Sequence, residues 1–176
     1  PDIIRGDLIQ TAASLKTLKS LNQAGSEADK SIKIHLKFDT GMGRIGFLPD
    51  DLLGIYQLAK ELKYIKIEGI FSHFATADEQ NKEFSHLQFE RFKSALNEIE
   101  TAGFKLPQVH IANSAAVIDL KNTALDLVRP GIMLYGLPPS DQLKKDAKLK
   151  PVLSFKTKIV QLRDLPAGSA VSYGST

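Results

Sequence analysis

Four short apolar segments recur along the chain, separated by stretches whose apolar residues fall at helical spacing. The segments are Ile32–Asp39 (IKIHLKFD), Ile65–His73 (IKIEGIFSH), Gln108–Ile111 (QVHI) and Leu125–Arg129 (LDLVR). Their composition is that of strands, and the first two are too short for helices. Leu15 and Leu18 share a helical face before the first segment. Leu52, Tyr56, Ala59 and Leu62 follow it, and Phe89, Phe92, Leu96 and Ile99 follow the second, at steps of three and four. Ser14, Pro49 with Asp50, and Ser114 are suited to helix starts. The strand-to-strand steps are about 33 and then about 43 residues, enough for right-handed βαβ crossovers. The last step is shorter and leaves room only for a short helix, about Asn113–Asp119.

This alternation predicts a parallel α/β sheet, either doubly wound or part of a (β/α)8 TIM barrel. The pattern changes after Pro151. Val152–Leu162 (VLSFKTKIVQL) alternates apolar and polar with period two, Leu165–Gly168 reads as a turn, and Ala170–Tyr173 as another strand. The expected organisation is the parallel α/β part over 1–140, a lysine-rich solvated linker over 141–150, and the start of a second, antiparallel β domain over 151–176. The chain begins at Pro1 and stops just after an apparent strand and turn, as expected of a piece of a longer protein.

Charge and composition narrow the function classes. Of 176 residues, 23 are basic and 20 acidic, with no basic run interleaved with aromatics, so a nucleic-acid surface is not expected. There is no cysteine, which removes disulfides, thiolate metal sites and a cysteine nucleophile. That suits a reducing, cytoplasmic setting. No stretch approaches the ~20 apolar residues of a membrane span. No metal-ligand spacing and no G-x-S-x-G elbow is present.

The chemistry-bearing residues cluster after the strands. Lys37, Asp39 and Arg44 follow the first, Ser72 and His73 the second, and His110, Asn113 and Ser114 the third. Arg129, with Pro130-Gly131, ends the fourth. In a barrel all of these converge on the mouth where catalytic residues sit. His35 lies mid-strand and His86 on a helix, and both read as structural. Gly41–Gly46 (GMGRIG) formally matches a dinucleotide fingerprint. Phe47, Leu48 and Pro49 intervene before the helix, Glu68 lies mid-strand, and Arg44 stands where backbone should approach a pyrophosphate. The glycines are better explained as a tight turn that aims Arg44 inward. Asn113–Ser114 and Gly131–Ile132 offer backbone N–H groups suited to a phosphate.

In order along the chain, KFDTGMGRIGF, FSHFATADE, HIANSAA, VRPGIMLYG and VSYG resemble the motifs of the alanine racemase family, barrel enzymes that use pyridoxal 5'-phosphate. The resemblance runs from about Ile32 to the C-terminus, and it implies that 1–140 is the C-terminal half of a (β/α)8 TIM barrel and 151–176 the first strands of a mostly β domain. It implies interconversion of L- and D-alanine by two opposed bases, a role in supplying D-alanine for peptidoglycan, and a homodimer. By the same resemblance Tyr173 is one base, His110 its hydrogen-bonding neighbour, and Arg129 the residue facing the pyridine nitrogen. Arg44 lies near the substrate carboxylate, and Lys37, carried in some members as a carbamate, braces it. His73, Asn113, Ser114, Gly131 and Ile132 contact the cofactor. The other base, the Schiff-base lysine of the first barrel strand, has no counterpart in this chain, so the chain alone is expected to be inactive. A serine or broad-specificity racemase, and a non-catalytic barrel that binds the same cofactor, are alternatives.

Overall fold

A computed structural model describes residues 2–145 and 147–174. Its elements alternate: α1 (Asp2–Arg5), β1 (Gln10–Ala12), α2 (Leu15–Ala28), β2 (Ile32–Lys37), α3 (Leu52–Glu61), β3 (Ile65–Phe71), α4 (Glu83–Thr101), β4 (Gln108–Asn113), α5 (Ser114–Asp119) and β5 (Leu127–Arg129). Single 3-10 turns lie at Pro49–Asp51 and Ile132–Tyr135.

The helices start where polar side chains can satisfy orphan N–H groups. Ser14 accepts from the Thr17 backbone at the head of α2. Asn113, rather than Ser114, caps α5 by accepting from the Ala116 N–H. α2 ends at Asp29 in the left-handed region (φ 47), whose N–H returns to Gly25 and Ser26.

The five strands are all parallel and stand side by side in chain order, β1-β2-β3-β4-β5. Each right-handed crossover moves one place in the same direction, so the helices all fall on one face. That is barrel winding. A doubly wound sheet reverses direction at a switch point, and none occurs among the described residues. Ile32, Ile34, Leu36 and Phe38 are buried and form one core with Leu18, Leu52, Tyr56, Phe92 and Ile99 of the surrounding helices. Each such side chain contributes about 1.5–3 kcal/mol of burial. The alternate residues of β2, Lys33, His35 and Lys37, point to the opposite, inner face.

Several boundaries differ from the sequence expectation for identifiable reasons. β1 was not anticipated because three residues carry no readable period. β5 begins at Leu127 rather than Leu125, since Leu125 sits at φ 49 and the Asp126 carboxylate accepts from the Val109 N–H. β4 continues to Asn113. The expected strands Val152–Leu162 and Ala170–Tyr173 are not formed. Their apolar residues stand exposed and pair with no strand among the described residues. Alternation makes a segment fit for a sheet, but a strand needs a neighbour to take its hydrogen bonds. The stretch read as a linker is partly tied down, with Lys144 and Lys145 N–H groups donating to the Asp119 carboxylate. No described helix is long and apolar enough to cross a membrane.

Candidate active site

The loop after β2 is organised by Asp39. Its carboxylate accepts from the N–H groups of Gly41 and Gly43 through one oxygen and of Arg44 through the other, at 2.9–3.0 Å. Burial works against the charge, but the backbone donors of Gly43, Gly41 and Met42 outweigh it and hold Asp39 below the usual carboxylate range. This settles the glycine pattern. The concave row of N–H groups that would receive a pyrophosphate is filled by the chain's own carboxylate. Gly46 closes the loop at φ 129, where a Cβ would lie 2.8 Å from the Asp39 nitrogen. Its absence lets Phe47 return and bridge Phe38, with the Phe47 N–H on the Lys37 carbonyl.

Lys37, Phe71 and His110 form a row across three strands, in register. The Phe71 ring stacks on His110 at 4.9 Å with only 10° between planes. The Lys37 ammonium and the Arg129 guanidinium lie over the same ring at 5.4 and 5.1 Å. Lys37 is buried and donates to the Phe38 carbonyl at 2.8 Å. Burial, with Arg129 and Arg44 adding and Asp39 opposing, brings its amine down to about 8.

Arg129 is the best-held side chain of the site. Nη2 donates to the carbonyls of Ser72 (2.8 Å) and Ile111 (3.2 Å) and to Nδ1 of His73 (3.2 Å). Nη1 donates to Nδ1 of His110. A guanidinium has no acceptor, so both histidines present an unprotonated Nδ1 and carry their proton on Nε2. Burial, then the charge of Arg129, pushes His73 down to about 4 and His110 down to about 3, so both are neutral at pH 7.

One cleft of about 350 Å³ opens at the carboxyl ends of the strands. His73, Asn113, Ser114, Arg129, Gly131 and Ile132 all line it, joined by Met42 from the glycine loop. The Gly131 N–H donates to Ser114 Oγ at 2.7 Å, which joins the loops after β4 and β5. Behind the cleft, Gln88 of α4 is fully buried. It donates to the His73 carbonyl and Thr40 Oγ1 and accepts from the Ala75 N–H. Among the described residues no group of three or more His, Asp or Glu could hold a metal ion.

The remaining expected residues stand apart. Arg44 is exposed on the loop, and its guanidinium makes no hydrogen bond or ion pair with the described residues. Lys37 does not reach it. Tyr173 is fully exposed in a turn of the C-terminal stretch and makes no hydrogen bond to His110 or Arg129. Sequence reasoning missed His35, Phe71 and Gln88. For His35 a signal was available, since two residues before Lys37 places it on the same strand face. For Gln88, buried 48 residues from Thr40, there was none.

A sequence profile for the alanine racemase N-terminal domain matches residues 1–139. The chain is 45% identical over 174 residues to the alanine racemase of Halothermothrix orenii, covering 99% of this chain and 46% of that protein. It is 40% identical to that of Methanococcus maripaludis, covering 99% and 47%. Among solved structures, the alanine racemase of Clostridium difficile 630 superposes with TM-score 0.86 at 38% identity, covering 98% of this chain and 46% of that one. The enzyme of E. faecalis gives 0.86 at 35% identity, covering 99% and 47%. The chain therefore spans about half the length of the relatives it matches. Five parallel strands wound in one direction, a cleft at their carboxyl ends and these matches agree: the chain belongs to the alanine racemase family.

Proposed function

We propose that this chain is the cofactor-holding part of an alanine racemase that uses pyridoxal 5'-phosphate. Residues 1–140 are the barrel part, 141–150 the connection, and 151–176 the entry into a β domain. One observation carries this reading: the loops after four consecutive strands line a single cleft with a clamped guanidinium in its wall. The donor set fits the group. Ser114 offers its hydroxyl proton, Asn113 its side-chain N–H groups and Ile132 its backbone for a phosphate, beside the Gly131 N–H that Ser114 Oγ holds. Arg129 offers a permanent cation for the ring nitrogen, and the cleft has the scale of a small cofactor.

When bound, the pyridoxal group withdraws electrons from the substrate Cα. The chain's own residues orient the substrate and handle its protons. A ring nitrogen held by Arg129 would stay largely unprotonated, because a guanidinium does not surrender a proton. That would limit the electron sink and disfavour side reactions such as transamination. Arg44 orients the substrate carboxylate, and Lys37 braces Arg44 once converted to an anionic carbamate. An amine brought down to about 8 has the neutral fraction that such a conversion needs. Tyr173 moves the Cα proton on one face.

The product, D-alanine, serves peptidoglycan synthesis in the cytoplasm, and the working form is a homodimer. The 176 residues alone turn over no alanine and hold the cofactor weakly, because the Schiff-base lysine expected of the family has no counterpart among them and Tyr173 stands fully exposed. The test compares this chain with a protein that also carries the rest of its relatives' length, each supplied with pyridoxal 5'-phosphate and L-alanine. D-alanine should form only with the longer protein, and Arg129→Ala there should lower cofactor retention. Robust turnover by the chain alone overturns the reading.

A further inference from the structure

We propose that His35 is a positioning residue that fixes the tautomer and orientation of His110, and through it the clamp on Arg129. Three observations carry this. His35 Nδ1 and His110 Nε2 lie 2.8 Å apart, though the residues are 75 positions apart in sequence. His110 Nδ1 already accepts from Arg129, so its single proton sits on Nε2 and is donated to His35 Nδ1. His35 therefore keeps Nδ1 free and carries its own proton on Nε2. The run Arg129 to His110 to His35 has one direction, and one acceptor ends it.

The fold builds a slot for this contact. In a barrel, inward residues of alternate strands meet in one layer, and the strand between must make way. β2 and β4 are alternate strands, and the residue between them on β3 is Gly69. A Cβ on Gly69 would lie 2.6 Å from His35 Cε1 and Nε2. The register between β2 and β3 slips at this point: Ile34 pairs with Ile67 and His35 with Gly69, leaving Glu68 as the extra residue. A bulge re-aims a side chain, and this one places a glycine under the His35 ring. The groups facing His35 are His110 on β4, Arg129 on β5, and Glu68 on the bulge itself. Burial lowers the His35 pKa below its ordinary value, with Glu68 opposing, so His35 stays a neutral acceptor near pH 7.

The relay within the chain does not depend on the cofactor. Its consequence for the cofactor rests on the function proposed above, so the experiment separates the two. The chain holds four histidines, few enough for nitrogen NMR of each ring in the full 176 residues. His110 should show an unprotonated Nδ1, a protonated Nε2, and a coupling across the hydrogen bond to His35 Nδ1. His35→Phe keeps the ring volume and removes the acceptor. It should abolish the coupling, broaden the His110 pair and shift the Arg129 guanidinium signal. His35→Gln, whose amide oxygen can accept, should restore the Arg129 signal. Gly69→Ala should reproduce the Phe result by displacing the ring. Unchanged His110 and Arg129 signals in a folded His35→Phe protein overturn the proposal.

In a protein carrying the rest of its relatives' length, His35→Phe should lower kcat about tenfold with KM nearly unchanged, the scale of one hydrogen bond. His35→Gln should recover most of that loss. If the ring signals change as expected while cofactor retention and kcat do not, the reading of the cleft fails and the relay stands.

Discussion

Two segments of this chain carry nearly the same alternation and meet opposite fates. Ile32–Lys37 (IKIHLK) is β2, paired on both sides, with Ile34 and Leu36 fully buried. Val152–Leu162 (VLSFKTKIVQL) forms no strand, and Val160 is 96% exposed. The difference is not composition. β2 follows α2 and precedes α3, so crossovers of the right length bring it neighbours on both edges. The later segment has no such partner among the described residues. Period two states which face a strand would bury, not whether anything is there to bury it against.

The largest expected effect sharpens this contrast. Phe92→Ala empties a fully buried position of α4 and should cost about 3–5 kcal/mol. Val160→Ala should stay within about 0.5 kcal/mol. Denaturant melts of both variants decide it, and a comparable loss in the two would mean the tail packs after all. Asp119→Ala acts at the sheet's rim. It removes the carboxylate 3.1 Å from the buried Lys82 ammonium, which keeps the carbonyls of Ala77 and Glu79, and should cost about 1–3 kcal/mol. It should also release Lys144 and Lys145, visible as faster amide exchange there and nowhere in β2.

Gly46→Ala tests the loop that serves the site. With φ 129 and a Cβ 2.8 Å from backbone, it should cost about 1–3 kcal/mol. Gly168→Ala in the tail, at φ 83 but with open space, should cost less. Equal losses would show that backbone conformation alone, not close approach, explains Gly46.

The smallest effect is pH dependence. His73 and His110 are depressed from 6.5 to about 4 and about 3. Between those values the unfolded chain binds protons that the folded chain refuses. Their contribution is therefore fully present above about 6.5 and falls as pH drops toward 4. Asp39 and Asp119, both held low, remain ionised down to pH 5 and do not mask it. Urea midpoints at pH 7 and 5 should show the lower value at pH 5. A flat result would contradict neutral histidines beside Arg129.

Much of the site was legible because chemistry gathers at strand ends. His73, Asn113, Ser114, Arg129, Gly131 and Ile132 were each placed by a polar residue or Gly turn just after an apolar run, and one cleft receives them all. Arg44 and Tyr173 were legible as motif members, but their side chains do not reach the cleft. The glycine loop was legible as a turn, yet its organiser, the Asp39 carboxylate, reads as a candidate site acid until its three N–H donors are seen.

The sequence by itself determined the order and type of the main elements, the faces they bury, and the strand ends where reactive side chains sit. These follow from local periodicity and from residues whose chemistry acts within a turn. Only the tertiary structure decided that the sheet winds one way, that Gly69 makes room for His35, and that Arg129 binds four partners from two neighbouring strands and their ends. Each of those depends on register between residues tens of positions apart. A one-residue slip, such as the bulge at Glu68, changes which side chains meet while leaving the hydrophobic pattern untouched.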